Sequence, residues 1–178
     1  NRVSRYVSSG DALHRAFYFA PMHVPWDPQS MWDTFRDALD AAPEDLSWAL
    51  SSHDDPRAPT RFGGGEEGKQ RALAYSVLLF FLPGLPVLYQ GDELGLPSIE
   101  LKQEELADPV ATRNVIESDG RDGARTPMPW SGGSEFGFTT GAPWMPTGNR
   151  TYEDTVEYQQ ATGDSWLMQY RKLLAIRK

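Results

Sequence analysis

Short apolar segments recur along the chain and end at turn-forming or polar residues. Residues 13–20 finish in an aromatic run before a proline, residues 46–50 are short and apolar, and residues 86–89 repeat this pattern. Segments of this length, bounded by turn residues, are typical of strands in a sheet. The pattern therefore predicts three strands.

Longer stretches with helical spacing separate these strands. The first begins at Ser30, a residue type that caps helix N-termini, and ends before Pro43; its apolar stripe is formed by Trp32, Phe35, Leu39 and Ala42. The second follows Glu66 and Glu67 and is almost wholly apolar from residue 72 to residue 82. Because acidic residues favour a helix N-terminus, we predict a second helix there, buried on most of its sides.

The C-terminal part of the chain is less regular. Residues 95–164 show no sustained period and are rich in Pro, Gly, Trp and charged residues. A loop of that length inside a compact domain is usually functional. After it, Asp164 is predicted to cap a last helix with an apolar face made of Trp166, Leu167, Tyr170, Leu173 and Leu174.

The order of these elements is strand, helix, strand, helix, strand, long loop, helix. Such alternation indicates an α/β fold with a parallel sheet and right-handed crossovers. A doubly wound sheet and a (β/α)8 barrel both satisfy this order. The glycines at 63–65 lie well past their strand and lack the G-x-G-x-x-G spacing of a dinucleotide-binding turn. Polar residues directly after strand ends, where barrel enzymes keep their active sites, favour the barrel.

The composition narrows the class of partner. The chain has 17 Lys and Arg against 25 Asp and Glu, a formal net charge of −8, and nucleic-acid binding depends on clustered cations. A neutral, polar small molecule is the better candidate. The apolar stretches are far shorter than the about 20 residues of a membrane span, so we expect no membrane partner. The absence of cysteine excludes disulfides and is compatible with a reducing, cytoplasmic compartment.

Three motifs follow one another along the chain. Residues 52–57 read S-H-D-D-P-R, residues 88–95 read L-Y-Q-G-D-E-L-G, and residues 120–130 read G-R-D-G-A-R-T-P-M-P-W. In this order they resemble three segments of glycoside hydrolase family 13. These are the N-H-D-x-x-R segment at the seventh strand, the Y-Q-G-x-E-x-G turn after the eighth strand, and the R-D-x-x-R-T-P-M-x-W loop of the α-glucosidase branch.

The resemblance implies a partial (β/α)8 TIM barrel that covers about strands six to eight and the last helix. Residues 1–178 are then expected to form the C-terminal part of a TIM-barrel catalytic domain. Because the chain begins at Asn1 without an initiator Met and ends at Lys178 inside the last predicted helix, we expect a fragment.

The resemblance also implies a retaining α-glucosidase that hydrolyses α-glucosidic bonds in oligosaccharides. Retaining glycosidases use a nucleophilic carboxylate and a carboxylic acid about 5 Å apart. The family carries these on strands four and five, so neither is assigned to a residue of this chain. The chain supplies the third carboxylate, Asp54, which favours developing positive charge, and His53, which binds sugar hydroxyls. The structural alternatives are a helix cap or a loop anchor for Asp54 and a packing role for His53. Ser52 replaces the family's Asn, which removes an amide from this turn.

Three arginines complete the candidate substrate-binding residues. Arg57 either pairs with carboxylates of the site or anchors its own loop. Arg121 and Arg125 carry guanidinium groups that can orient a carboxylate and bind sugar hydroxyls. We expect one of these two to do so and the other to form a salt bridge within its loop, with Asp122 or Glu93.

No metal or cofactor is expected. Gln90, Asp92 and Glu93 follow the family's turn, so they are given a structural role. Two readings besides the hydrolase stay open. One is an isomerase or transglucosylase of the same family that forms trehalose or isomaltulose, and the other is a non-catalytic relative that uses the barrel for binding.

Overall fold

Three parallel strands form one sheet in the order β1-β2-β3. The structure, a computed structural model, describes residues 3–7, 11, 13–40, 44–112 and 121–177. The strands are β1 (Ala16–Tyr18), β2 (Leu46–Ala49) and β3 (Leu85–Val87). Across the sheet, Tyr18 pairs with Trp48, which pairs in turn with Pro86. All three predicted strands are confirmed, although β1 is shorter than expected and β3 begins one residue earlier.

Helices connect the strands in the predicted order. The α-helices are α1 (Ser4–Val7), α2 (Pro28–Leu39), α3 (Ala58–Arg61), α4 (Gly65–Phe81), α5 (Pro109–Thr112), α6 (Val156–Ala161) and α7 (Trp166–Ile176). Short 3-10 helices span Ala20–His23, Asp92–Leu94, Gln103–Glu105, Asp122–Ala124, Ser134–Gly137 and Tyr152–Asp154. Within the described ranges, no helix is both long enough and apolar enough to cross a lipid bilayer.

The two faces of the sheet have different surroundings. Side chains alternate across a strand, so Leu46 and Trp48 point to one face and Ala49 to the other. On the first face, α2 and α4 pack against Trp48, whose ring contacts Phe35 at a centroid distance of 5.9 Å. The second face carries Ala49 and Val87 and borders an open pocket. A doubly wound sheet has helices on both faces, whereas the sheet of a barrel has helices only on its outer face. Because helices pack on one face of the described sheet, this part of the chain agrees with the barrel.

The predicted N-cap of α2 lies three residues too late. Asp27, not Ser30, is the N-cap: its Oδ2 accepts hydrogen bonds from the backbone N–H of Ser30 at 2.8 Å and from the Ser30 hydroxyl at 2.7 Å. Pro28 then occupies the first turn, where the missing N–H costs nothing. Trp32 is 62% exposed, so the predicted stripe was wrong at this position. The predicted end at Ala42 and Pro43 lies outside the described residues.

The helix α4 begins and ends as the pattern indicated, with Glu66 and Glu67 in its first turn. One face is buried, but Leu78 and Phe81 are exposed, so the expectation of burial on most sides was wrong. The physical reason is that the sheet and α7 pack against one side of α4, and the side carrying these two residues is open to solvent in the described structure.

The last helix, α7, packs on α4. Its N-cap is Ser165 rather than the predicted Asp164, because the Ser165 Oγ accepts a hydrogen bond from the backbone N–H of Met168 at 3.3 Å. The buried Tyr170 hydroxyl contacts Ser76 Oγ on α4 at 2.5 Å. Beyond the helix end, Arg177 donates to the carbonyl of Gly84 at 2.6 Å, which fastens α7 to the turn before β3.

In its described part, the long segment after β3 contains two α-helices that the sequence pattern missed, α5 and α6. The helix α6 has Gln159 as its buried residue, and this polar side chain leaves no apolar period to detect. Gln159 Nε2 donates to the carbonyl of Leu94, and its Oε1 accepts from the backbone N–H of Leu167, each at 3.0 Å. The amide thus joins the turn after β3 to the start of α7.

Candidate functional site

The polar turn after β2 is ordered by two serine hydroxyls. Ser51 Oγ accepts from the backbone N–H of Ala58 at 3.1 Å, which joins the start of the turn to α3. Ser52 Oγ accepts from the backbone N–H of Asp54 and donates to Asp55 Oδ2, both at 3.1 Å. Ser52 thus orders this turn with a hydroxyl where the family has an amide. The turn holds Asp54 at the end of the strand with its side chain 51% exposed.

Four of the five predicted site residues lie together around Asp54. Arg121 Nη1 donates to Asp54 Oδ1 at 2.9 Å, and Arg125 Nη2 donates to the same oxygen at 3.1 Å. Arg125 Nε also donates to the carbonyl of His53 at 2.8 Å. On the other side, His53 Nε2 lies 3.5 Å from Asp54 Oδ2. Arg121 and Arg125 follow Asp54 by 67 and 71 positions in sequence, and both meet at its carboxylate.

Arg121 has a second carboxylate partner, Asp108, which the sequence interpretation missed. Asp108 Oδ2 accepts from Arg121 Nε at 2.7 Å, and its Oδ1 accepts from Nη2 at 2.9 Å. These hydrogen bonds hold the pKa of Asp108 well below its usual range and raise the pKa of Arg121. The sequence signal was Asp108 followed by Pro109, a pair typical of a helix start, which indicates a cap rather than a partner for a distant arginine.

The salt bridge predicted within the arginine loop therefore goes to a different acid. Asp122 Oδ2 accepts from the backbone N–H groups of Ala107 and Asp108, both at 2.7 Å. Glu93 Oε2 accepts from the backbone N–H of Gly91 at 2.8 Å. Both carboxylates order local backbone, and the expectation that either would bind Arg121 or Arg125 was wrong. Both arginines contact Asp54, and the expectation that one of them binds sugar hydroxyls stays a prediction.

Arg57 lies apart from this group and is 1% exposed. Its Nη1 donates to the carbonyl of Gln90 at 2.5 Å and its Nη2 to the carbonyl of Ala124 at 3.0 Å. The guanidinium carbon also lies 4.9 Å from the centre of the Tyr89 ring. Burial lowers the pKa of Arg57 despite the nearby Asp92. Of the two predicted roles, these contacts agree with the loop anchor, which here joins three segments.

A pocket of about 350 Å³ lies beside Asp54 on the open face of the sheet. Its walls come from all three strands and the turns that follow them: Phe17, Phe19, Met22, His23, Ala49, Ser51, Ser52, His53, Asp54, Asp55, Val87, Leu88 and Tyr89. Apolar side chains thus flank a polar end that carries Asp54. A mixed surface of this kind suits a sugar ring, which has apolar faces and a hydroxylated edge.

The chemistry that this site offers is electrostatic. Asp54 lines the pocket and presents one oxygen to two guanidinium groups and the other to His53. A fixed carboxylate can accept hydrogen bonds from hydroxyl groups and stabilise positive charge developing nearby. Asp55 instead accepts from Ser52 and lies 3.6 Å from His23 Nδ1. The described residues contain no group of three or more His, Cys, Asp or Glu that could hold a metal.

Comparison with known proteins places these observations in a family. The family model "Alpha amylase, catalytic domain" matches residues 13–178. A probable alpha-glucosidase of Rhizobium meliloti (strain 1021) is 36% identical over 181 residues, which covers 99% of this chain and 32% of the relative. An oligo-1,6-glucosidase of Parageobacillus thermoglucosidasius is 32% identical over 200 residues and covers 93% of this chain and 35% of the relative.

A solved structure extends the similarity to three dimensions. The alpha-glucosyl transfer enzyme XgtA matches with a TM-score of 0.90 at 36% identity, covering 99% of this chain and 33% of that one. The fold is that of part of an α/β barrel, so the predicted partial barrel is confirmed. The chain belongs to the alpha-amylase family, glycoside hydrolase family 13. It spans about a third of the length of these relatives.

Proposed function

We propose that this chain is the C-terminal part of the catalytic barrel of a retaining α-glucosidase that hydrolyses α-glucosidic bonds in oligosaccharides. The observation that carries the proposal is the convergence of Arg121, Arg125 and His53 on the exposed carboxylate of Asp54, beside a pocket open to solvent. Identity of 32–36% to proteins named alpha-glucosidase and oligo-1,6-glucosidase supports the substrate class.

In this proposal Asp54 is the carboxylate that stabilises the oxocarbenium-like transition state. His53 and Arg125 bind sugar hydroxyls beside it, and Arg121 orients its Oδ1. Arg57 is reassigned from substrate binding to holding the turn after β3 and residue 124 in place, because its guanidinium is buried and donates to two backbone carbonyls. The nucleophile and the general acid are expected upstream, on strands four and five.

Asp54→Asn in the full-length enzyme tests the proposal. The change preserves shape but removes the negative charge, so we expect kcat on p-nitrophenyl α-glucoside to fall about 100- to 1,000-fold. The thermal midpoint should change little, because the Asp54 side chain is half exposed. Kinetics and thermal unfolding of the same preparations provide the two measurements.

Asp55→Asn is the matched control. It changes the neighbouring carboxylate, which contacts Ser52 and His23 rather than the arginines. A loss of kcat for Asp55→Asn as large as that for Asp54→Asn, or near-normal turnover of the latter, would remove Asp54 from the proposed role. If the upstream sequence lacked an Asp after strand four and a Glu after strand five, a non-catalytic binding protein would be favoured instead.

A transglucosylase is the second candidate function, and the similarity to XgtA, an alpha-glucosyl transfer enzyme, favours it over an isomerase or a non-catalytic relative. Hydrolysis and transfer share the glycosyl-enzyme intermediate and differ in whether water or a sugar attacks it. The ratio of released glucose to transfer products at rising sugar concentration separates the two. The cytoplasmic location and the absence of a cofactor stay predictions.

A further inference from the structure

The guanidinium group of Arg121 is shared between two carboxylates of different exposure. Asp108 is buried and accepts from Nε and Nη2, the two donors along one edge of the guanidinium. The remaining nitrogen, Nη1, donates to the exposed Asp54. Because a guanidinium is planar, fixing one edge through two hydrogen bonds also fixes the direction of Nη1. The orientation of Arg121 toward Asp54 is therefore determined by a second acid, on the far side of the guanidinium.

The backbone around Asp108 is fixed by a reciprocal pair of acids, which we term the Asp108/Asp122 clasp. Asp108 Oδ2 accepts from the backbone N–H of Arg121 at 2.9 Å, while Asp122 accepts from the backbone N–H groups of Ala107 and Asp108. Both acids are buried. They differ in their partners: the Asp108 carboxylate also accepts from the Arg121 side chain and from the backbone N–H of Val110 at 3.1 Å, whereas the Asp122 carboxylate accepts from the backbone N–H groups of Ala107 and Asp108.

Asp108 places a negative charge directly beside Arg121. Arg121 and Arg125 with Asp54 alone carry a formal net charge of +1, which opposes the positive charge that develops on the sugar in a glycosidase transition state. An ionised Asp108 offsets the charge of Arg121. Since the Arg121 hydrogen bonds hold the pKa of Asp108 well below its usual range, the acid stays ionised wherever the enzyme would work.

We propose that Asp108 is a positioning residue of the active site, which aims Arg121 at Asp54 and offsets its charge without contacting the substrate. This inference rests on the proposed function, since it requires that Asp54 stabilises the transition state. Two features carry it: the two-point contact of Asp108 with the Arg121 side chain, and the negative charge that Asp108 places beside this arginine.

A double-mutant cycle in the full-length enzyme tests it, with Asp108→Asn, Arg121→Gln and the double variant measured on p-nitrophenyl α-glucoside. If Asp108 acts through Arg121, Asp108→Asn lowers kcat about 10- to 100-fold in the wild-type background and less than about threefold when Arg121 is already Gln. KM should change less than kcat, because the effect arises as charge develops in the transition state.

Asp122→Asn is the matched control, because it removes a buried negative charge nearby, keeps an amide oxygen that can accept from the Ala107 and Asp108 N–H groups, and spares the Arg121 side chain. We expect it to leave kcat within about threefold of the wild type. Equal losses of kcat for Asp108→Asn and Asp122→Asn, or additive losses in the cycle, would show that Asp108 is a structural residue and overturn the proposal.

Two further outcomes are informative. If Asp108→Asn does not fold, Arg121→Lys replaces it in the test. Lysine keeps the charge, but its ammonium group cannot hold this geometry with two carboxylates. A loss of kcat as large as that for Arg121→Gln supports the proposal, and near-normal turnover overturns it. If Asp54→Asn is itself fully active, the proposed function fails. An inactive Asp54→Asn with a fully active Asp108→Asn defeats the positioning role alone.

Discussion

Two buried regions of the molecule have opposite chemistry. One is the layer between the sheet and its helices, and the other is the loop region that carries the site. The first is apolar and centres on Trp48, with Leu46, Phe35, Tyr75 and Leu79 around it. The second buries charged side chains, namely Arg57, Asp92, Asp108, Asp122 and Arg150. Burial of apolar surface stabilises the first region, whereas directional hydrogen bonds stabilise the loop region.

This difference explains why the site lies where it does. Apolar packing tolerates small rearrangements, but the direction of a guanidinium group is defined by its acceptors. Burial of a charge is unfavourable unless the group is paired or hydrogen-bonded. The buried guanidinium of Arg57 donates hydrogen bonds to backbone carbonyls of two separate segments. The loop region thus gives up stability for a defined geometry, and substitutions in the two regions should differ in sign as well as in size.

The largest effect on stability is expected from Trp48→Ala in the apolar layer. Trp48 is fully buried, and its Nε1 donates to the carbonyl of Pro83 at 2.5 Å. Removing the ring should lower the free energy of unfolding by about 3–5 kcal/mol in denaturant titration. Trp32→Ala is the control on the adjacent helix α2, where the exposed ring should cost less than about 0.5 kcal/mol. Similar losses for the two variants would contradict the assignment of the buried face.

A smaller effect of opposite sign is expected from Asp92→Asn in the loop region. Asp92 is 3% exposed, and burial raises its pKa to about 6, against the opposing influence of the Ser51 hydroxyl and Arg57. The folded state therefore holds this proton more tightly than the unfolded state. The contribution of Asp92 to stability is greatest below about pH 4, declines as the pH rises from about 4 to about 6, and stays low above that range.

Measuring the free energy of unfolding of both proteins at about pH 4 and about pH 7 tests this linkage. A shift of about two pKa units corresponds to about 3 kcal/mol. The free energy of unfolding of Asp92→Asn, relative to that of the wild type, should therefore increase by about this amount from the lower to the higher pH. The measurement at the lower pH serves as the internal reference, because the wild-type carboxyl is then protonated. A constant difference between the two proteins across this range would show that Asp92 is not desolvated.

The smallest effect distinguishes the two candidate caps of α7. Ser165→Ala removes the acceptor of the Met168 N–H and should cost about 1 kcal/mol of unfolding free energy. Asp164→Ala, at an exposed position one residue earlier, should cost less than about 0.5 kcal/mol. If the order of these two values were reversed, the predicted Asp164 cap would be correct and the observed one wrong.

The apolar region could largely be predicted from the sequence, and its errors have a common cause. The helical spacing that included Trp32 in the apolar stripe does not define which face of α2 packs against the sheet. That choice depends on where the sheet lies. The caps at Asp27 and Ser165 were each missed in favour of a nearby residue of equal propensity. Local pattern identifies an element, whereas tertiary contacts decide its rotation and its exact ends.

The loop region was predictable at the level of motifs but not of partners. Resemblance located Asp54, His53, Arg121 and Arg125, and the structure brings these four together. Asp108 was missed because its partner Arg121 lies 13 positions away and no period connects them. Arg57 was left between two roles because burial, which decides between them, does not follow from its position beside a polar motif.

The Asp108/Asp122 clasp has a consequence for how this part of the protein can change during evolution. Asp122 binds the backbone N–H groups of residues 107 and 108, and Asp108 binds the backbone N–H of residue 121, so the clasp depends on two acidic side chains and otherwise on main-chain groups. The exposed side chain at position 107 takes no part in these hydrogen bonds. Substitutions at position 107 are therefore compatible with the clasp, whereas the acids at positions 108 and 122 are expected to persist or be lost together.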